Sequence, residues 1–541
     1  MKRNKLYPWI PLLFALTFVA GVAAALLISP RKAVQTPPNK LDSVISLITA
    51  KYVDTLDIDS IIETAIPEIL SNLDPHTVYI PSSDLQAVNE DLDGSFSGIG
   101  ISFTIQNDTV TVIETIAGGP AERVGLVPGD RIVEIDGRDF TGKKITNDSV
   151  MNNLRGPRDT QVTLGIKRSS SPKTLSFDII RGDIPVNSVV ASYIIDDGVG
   201  YIKVDKFGRT TFDEFFQALI ALSYQGAKDF IIDLRGNGGG FMEIAIMMAN
   251  EFLDRGDMIV FTRGRDGRDE SFIAADGNGT FKTAGVTVLI DEYSASASEI
   301  FAGAIQDNDR GWIIGRRSFG KGLIQQQFDL PDSSAIRLTI ARYYTPSGRS
   351  IQKDYSDSES YSYDIISRYE RGEAFSADSM QIDKSLEYTT TGGRTVYGGG
   401  GIIPDLFVPN DTTGISNYYI KVANAGLLQK FAFSYADTNR EKLSRASDVT
   451  ELLKLLPPDY ALIDEFVAYC VRNGIPAQWY YIKQSRDLIV TQLKALIARD
   501  AIGMSAYFEI FNTIDKTVDT ALSTILDSTP LIPYESPEAV E

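Results

Sequence analysis

One histidine and one cysteine in 541 residues narrow the chemistry at once. The cysteine, Cys470, sits in a helical pattern and reads as a core position; alone, it can form no internal disulfide. Zinc sites draw on several His, Cys or carboxylate ligands. With one histidine, His76, and one cysteine, no metal is expected, and nothing in the chain implies an organic cofactor. Cationic side chains are also short: 52 Lys and Arg face 71 Asp and Glu, a net charge of −19. A nucleic-acid partner needs a basic face, so that class is set aside.

Charge is absent altogether from residues 6–30, an apolar run that follows Lys2, Arg3 and Lys5. It exceeds the roughly 7–15 residues of a signal-peptide core and approaches the about 20 of a spanning helix. The reading is a transmembrane anchor with its N-terminus in the cytoplasm; cleavage near residues 23–25 is the alternative. Either way the bulk of the chain is exported. It is expected in the cell envelope, anchored in the inner membrane and facing the periplasm or exterior. A proline-containing linker follows. Two helical patterns come next, residues 41–48 and 58–73, the second kinked at Pro67.

What the chain has in abundance is glycine placed between strands and helices. The run Arg235-Gly236-Asn237-Gly238-Gly239-Gly240 follows a buried-strand pattern at 230–234 and precedes a helix at 242–253. It lacks the lysine and hydroxyl residue of a phosphate loop, and its spacing fails the dinucleotide fingerprint. The organising stretch is residues 291–327, DEYSASASEIFAGAIQDNDRGWIIGRRSFGKGLIQQQ. A β-branched run at 286–290 reads as a strand. Ser and Ala alone fill 294–298. From Glu299 the apolar residues Ile300, Phe301, Ala304 and Ile305 recur with helical period. A serine at such a strand-to-helix turn lies where N–H groups are unpaired and negative charge is favoured. Lys321 follows between Gly320 and Gly322, which permit close backbone approach. Ser296-Ala297-Ser298-Glu299 equally fits a capping box. With a single histidine, lying in Leu73-Asp74-Pro75-His76-Thr77, a lysine is the main remaining base for a serine nucleophile. Such a lysine must be neutral, and burial lowers its pKa from about 10.4; Phe319, Leu323 and Ile324 are candidates to bury it.

The runs S-A-S-A-S-E and F-G-K-G followed by a glutamine resemble those of the C-terminal processing peptidases, or tail-specific proteases. The resemblance implies Ser296 as nucleophile, Lys321 as general base and Gln325 as the residue orienting the lysine. Residue physics alone leaves Ser294, Ser296 and Ser298 open. The glycine run resembles the family's D-L-R-x-N-x-G-G motif, implying an oxyanion hole from the amides of Gly239 and Ala297, with Gly240 the alternative to Gly239. Residues 73–81 resemble the family's L-D-P-H-[ST]-x-Y stretch, in which His76 reads as structural. Gly348-Arg349, Ile351-Gln352 and the turn at 401–405 resemble later family segments.

Residues 91–183 follow the order of glycine turns and short strands of a PDZ domain, implying a groove that takes a peptide end as an added strand. Gly98, Ile99, Gly100 and Ile101 would hold its terminal carboxylate. Residues 151–154 would line the groove, and Arg155 is a candidate contact to the protease core. The expected fold is multidomain α/β: membrane helix 1–30, linker and helical segment 31–90, mostly-β PDZ domain 91–183, ClpP/crotonase-like α/β protease core 184–410 and a mainly helical extension 411–541. Residues 356–381 read as a surface excursion. The expected function is a Ser-Lys endopeptidase acting on exported polypeptides with exposed C-terminal tails, held at the membrane by its N-terminal helix; homo-oligomerisation stays open. The rivals are a non-catalytic PDZ scaffold of the cell envelope and a small-molecule hydrolase of the same fold.

Overall fold

Central strands buried on both faces organise the structure, a computed structural model that describes residues 39–527, except 107, 117, 268 and 269, together with residue 531. The apolar run 6–30 lies outside the described residues. Among those described, no helix is long and apolar enough to cross a membrane. The chain divides into two units, residues 1–69 and 70–541. In the first, the helix Lys40–Lys51 starts on an Asn39 capping box and buries no residue. The helix Ile58–Leu70 carries Pro67 within it, as the pattern implied.

In the second unit, the PDZ-like region forms a sheet whose main path runs through the strands Ile101–Gln106, Thr109–Thr115, Arg131–Ile135, Gln161–Lys167 and Leu175–Ile180. Its core includes Ile99, Val110, Ile132, Val150 and Leu164. Ile101–Gln106 stands at the edge of the sheet. The helix Asn147–Leu154 follows a Thr146 cap. Arg155, immediately after it, stacks over Phe96 at 4.2 Å and reaches Glu90 at 3.9 Å. Its contacts are therefore local, not with the peptidase core as the sequence suggested.

The α/β core is built on six strands in the order Val189–Asp196, Val199–Val204, Asp229–Asp233, Gly285–Ile290, Trp312–Gly315 and Leu406–Phe407. The first pairs antiparallel; the rest are parallel. Parallel strands are covered on both faces, and the two faces here are distinct. Ile202, Val204, Phe230, Ile232, Val288 and Ile290 pack with the helices Thr211–Tyr224, Met242–Asn250 and Ala297–Asp307. Val199, Tyr201, Ile231, Leu289 and Ile314 pack instead with Val518 and Ala521 of the helix Lys516–Leu526, beside Phe508. The end of the C-terminal region is thus a layer of the core.

A second sheet carries the strands Val78–Ile80, Ala335–Tyr344, Met258–Gly264 and Ser271–Ala274, with Leu323–Asp329 paired to Ala335–Tyr344. Residues 418–510 fold into helices around their own core, which includes Phe431, Leu452, Phe466 and Leu493, with Cys470 fully buried among them. Residues 356–381 lie mostly at the surface, but as an anchored element. They hold the helix Ser358–Glu370, which buries Tyr361 and Arg368. Its serines and charges had hidden two inward anchors.

Candidate active site

The strand Gly285–Ile290 ends at a tight turn, and three serines there have different environments. Ser294 is fully buried, and its hydroxyl donates to the Leu234 carbonyl at 2.8 Å. Ser298 is also fully buried, donating to the Asn237 carbonyl at 2.9 Å. Ser296 alone is partly exposed. Its backbone lies at φ 56°, ψ −113°, a conformation that costs a non-glycine residue about 1–3 kcal/mol and persists only where neighbours enforce it.

The neighbours that enforce it also hold Lys321. The carboxylate of Glu299, fully buried in the first turn of the helix Ala297–Asp307, accepts from the amides of Ser296 (2.8 Å), Gly320 (2.7 Å) and Lys321 (2.9 Å), and from the Ser318 hydroxyl (2.5 Å). The Tyr343 hydroxyl donates to the carbonyls of Ser296 (3.1 Å) and Lys321 (2.7 Å). The amide of Phe319 donates to the Ser294 carbonyl at 3.0 Å. The serine and lysine loops are therefore joined through N–H groups on one side and carbonyls on the other. Burial pushes the Glu299 carboxyl above its ordinary range, against the pull of its four donors. The glutamate half of the capping box does form, but its other donors come from the lysine loop.

Gly320 has φ +91°, and a side chain there would come within 3.1 Å of the Gly401 amide, which is why the lysine follows a glycine. Arg368 donates to the carbonyls of Ser318 (2.7 Å) and Phe319 (3.2 Å). The Lys353 ammonium lies 3.8 Å from the Phe319 ring centre. Burial holds the Lys321 ammonium below its ordinary pKa, helped by the cation of Arg337 and opposed by Glu299 and Asp74. Of the three proposed wall residues, Leu323 is buried, and Phe319 and Ile324 are half-buried.

Gln325 lies across from Thr339 in the strand pair, and its carboxamide donates to the Thr339 hydroxyl at 3.2 Å. Thr339 donates in turn to Asp74 at 3.0 Å. Asp74 also accepts from the Thr77 hydroxyl (2.6 Å) and the amides of His76 (2.9 Å) and Thr77 (3.0 Å). Gln325 thus ties the 73–77 turn to the hairpin. His76 Nε2 lies 2.6 Å from the Tyr361 hydroxyl. Its pKa is lowered to about 4, chiefly by burial and then by Lys321.

The glycine run closes the other side. A side chain on Gly239, at φ +102°, would approach Ser296 Cβ to 2.8 Å and the Ala297 amide to 3.0 Å. Glycine is what lets this loop touch the Ser296 turn. The Ala295 amide donates to the Asn237 carbonyl at 3.0 Å. Gly239, Ser296 and Ala297 therefore converge. One point departs from the expected oxyanion hole: the Gly239 amide donates to Asn237 Oδ1 at 2.8 Å, so it is not a free donor here. The asparagine two residues upstream competes for it.

Gly98, Ile99, Gly100 and Ile101 sit together at the start of the PDZ edge strand. Gly98 ends the strand Ser95–Gly98, Ile99 is buried, Gly100 turns the chain at φ +78° and Ile101 begins Ile101–Gln106. Among the described residues, no group of three or more His, Cys, Asp or Glu side chains is placed to hold a metal ion.

Comparison with known proteins agrees with this layout. The model of peptidase family S41 matches residues 198–358, and that of the PDZ domain matches 89–167. A family of unknown function, DUF8443, matches 418–503. The carboxy-terminal-processing protease of Bartonella bacilliformis is 36% identical over 317 residues, 58% of this chain and 72% of that protein. The carboxy-terminal processing protease CtpB of Bacillus subtilis is 34% identical over 319 residues, 58% of this chain and 65% of that one. Among solved structures, the photosystem II D1 C-terminal processing protease is 32% identical, covering 57% of this chain and 89% of its own, with a TM-score of 0.32. The protein is a serine-type peptidase carrying a PDZ domain. It belongs to peptidase family S41, among the carboxy-terminal processing proteases.

Sequence reasoning had missed Glu299, Tyr343, Asp74 and Arg368. The Ser-x-x-Glu spacing did flag Glu299, but only as a helix cap.

Proposed function

We propose that the chain is an endopeptidase working through a Ser296–Lys321 dyad on polypeptides whose C-terminal tails are captured by its PDZ domain. One observation carries the reading. Of three adjacent serines, two are sealed against carbonyls, while the third is partly exposed, held at positive φ and tied to the lysine loop by Glu299 and Tyr343.

Neutral Lys321 Nζ takes the proton from Ser296 Oγ as Oγ attacks the scissile carbonyl carbon. The carbonyl oxygen becomes an oxyanion, with the Ala297 amide as one donor. The glycine run supplies the second; Gly239 serves once its N–H leaves Asn237 Oδ1. Collapse breaks the C–N bond, and Lys321 returns the proton to the leaving amine. It then takes a proton from the water that attacks the acyl carbon and returns it to Ser296 Oγ as the acyl C–O bond breaks, releasing the carboxylic acid product. Gln325 and Asp74 fix the wall behind the lysine. In the PDZ domain, the free edge of Ile101–Gln106 accepts the tail as an added strand, with residues 98–101 at its carboxylate end. The basic start and uncharged run of residues 1–30 support anchoring in the membrane with the catalytic part exported.

The test is cleavage of an unstructured reporter with an apolar C-terminal tail by the wild-type chain, Ser296→Ala and Lys321→Ala. Tail-dependent cleavage by wild type that both substitutions abolish is expected. Tail binding without any cleavage by wild type would favour the scaffold reading instead.

A further inference from the structure

The residue that opens the glycine run is held by the far end of the chain. Arg235 directs its guanidinium at two carboxylates. Asp233, at the end of its own strand, accepts from Nε at 3.1 Å and from Nη2 at 2.6 Å. Asp515, which caps the helix Lys516–Leu526, accepts from Nη1 at 2.8 and 3.1 Å. Lys203 donates to the Arg235 carbonyl. The next amide, Gly236, goes to Asp291 at 2.9 Å, and Gly239, which packs against the Ser296 turn, lies four residues on from Arg235. The other ties named on this loop come from the peptidase core. Among the described residues, Asp515 is the carboxylate of the C-terminal region that reaches the loop, across 280 residues of sequence.

A cavity of about 860 Å³ adjoins the pair, lined by both residues and by Asp291, Arg316, Tyr507 and Phe511 among others. With open space on one side, Arg235 is oriented there by charge and hydrogen bonds.

We propose that Asp515 is a positioning residue for the oxyanion glycines, so that the C-terminal helical region sets the catalytic geometry through Arg235. The inference rests on the peptidase reading above. Its consequence is specific: weakening the pair loosens the loop that must present a donor to the oxyanion, while leaving the PDZ groove and the Ser296–Lys321 tie through Glu299 in place.

Asp515→Asn is the informative variant. Asparagine caps helices as well as aspartate, so the helix Lys516–Leu526 keeps its cap while Arg235 loses one charge partner. Asp515→Glu keeps the charge. The full chain would be assayed for cleavage of a tailed reporter, and for binding of a peptidyl boronate, whose tetrahedral adduct uses the oxyanion site, beside the same peptide without the boronate. Expected for Asp515→Asn is a kcat lower by about 10- to 100-fold, the scale of an ångström-level misplacement, with KM and plain-peptide affinity unchanged. Boronate affinity falls in step, and Asp515→Glu recovers part of the loss. Unchanged kcat and boronate affinity in Asp515→Asn would overturn the inference while leaving the peptidase reading intact. So would a loss confined to melting temperature. A wild-type chain that neither cleaves nor binds the boronate sinks the peptidase reading, and this one with it.

Discussion

The peptidase site and the PDZ groove, two functional regions of one chain, are built by opposite means. At the site every approach to the reacting residues is over-determined. Two serine hydroxyls are sealed inward, a buried carboxylate collects four donors, and a tyrosine bridges two carbonyls. At the groove the defining feature is an edge strand, Ile101–Gln106, entered through a glycine at positive φ. Bond-making needs fixed atoms, because a small misplacement costs orders of magnitude in rate. Tail capture needs an unfilled edge, because the ligand supplies the missing strand. Substitutions at the first should therefore lower kcat, and substitutions at the second should raise KM.

The largest effect is expected from Ser296→Ala, which should reduce kcat by about 10⁴–10⁶-fold and leave tail affinity of the PDZ domain unchanged by calorimetry. A parallel loss of tail affinity would break the separation. Next comes Glu299→Ala. Four donors lose one buried acceptor, each left with a desolvation cost of roughly 1–3 kcal/mol, so both melting temperature and kcat should fall sharply while KM changes little. Tyr343→Phe removes one hydroxyl from the same tie. It is expected to cost about 1 kcal/mol of stability and a smaller share of kcat, read by denaturant melts and steady-state kinetics. Gly100→Val sharpens the other side. At φ +78°, with the Ile184 side chain 2.9 Å from a Cβ there, it should raise KM for tailed substrates several-fold and spare kcat.

The mildest test is pH. In the proposed mechanism Lys321 acts in its neutral form, and its pKa is lowered by burial and by Arg337. Activity should therefore rise with pH through a midpoint below the ordinary lysine value of about 10.4. Arg337→Gln removes a cation, lets the lysine keep its proton to higher pH and should move that midpoint upward. A midpoint that falls or stays put would contradict the electrostatic assignment. Glu299, Asp74 and His76 also face this lysine, so they must remain intact in the comparison. The sign for stability follows: a lysine whose folded pKa is depressed binds its proton less readily when folded, so its contribution to stability increases as pH rises from the folded to the unfolded value.

The same contrast explains what the sequence disclosed. Strands such as Val199–Val204 and Gly285–Ile290 were legible because burial on both faces writes them as mostly apolar runs, interrupted only by Lys203 and Thr287. The serine-to-helix turn was legible as a strand end followed by helical period. Which of the three serines stays partly exposed was not a matter of residue type; it depends on which hydroxyls meet carbonyls of a loop some 60 residues upstream. Glu299 could be seen at cap spacing, but its second set of donors lies about 20 residues away in sequence. The helix Ser358–Glu370 was hidden by its solvent face, since only Tyr361 and Arg368 turn fully inward. The tie between Asp515 and Arg235 has no local sequence signal at all, whereas the competition of Asn237 for the Gly239 amide is a local Asn-x-Gly turn.

The central claim is that Ser296 is made nucleophilic by Lys321. It is tested most directly by reacting the full chain with a fluorophosphonate at a series of pH values and locating the adduct by mass spectrometry. The account predicts a single adduct on Ser296, with a labelling rate that climbs with pH through the Lys321 midpoint and collapses in Lys321→Ala. An adduct on Ser294 or Ser298, or labelling of Ser296 indifferent to both pH and Lys321, would contradict it.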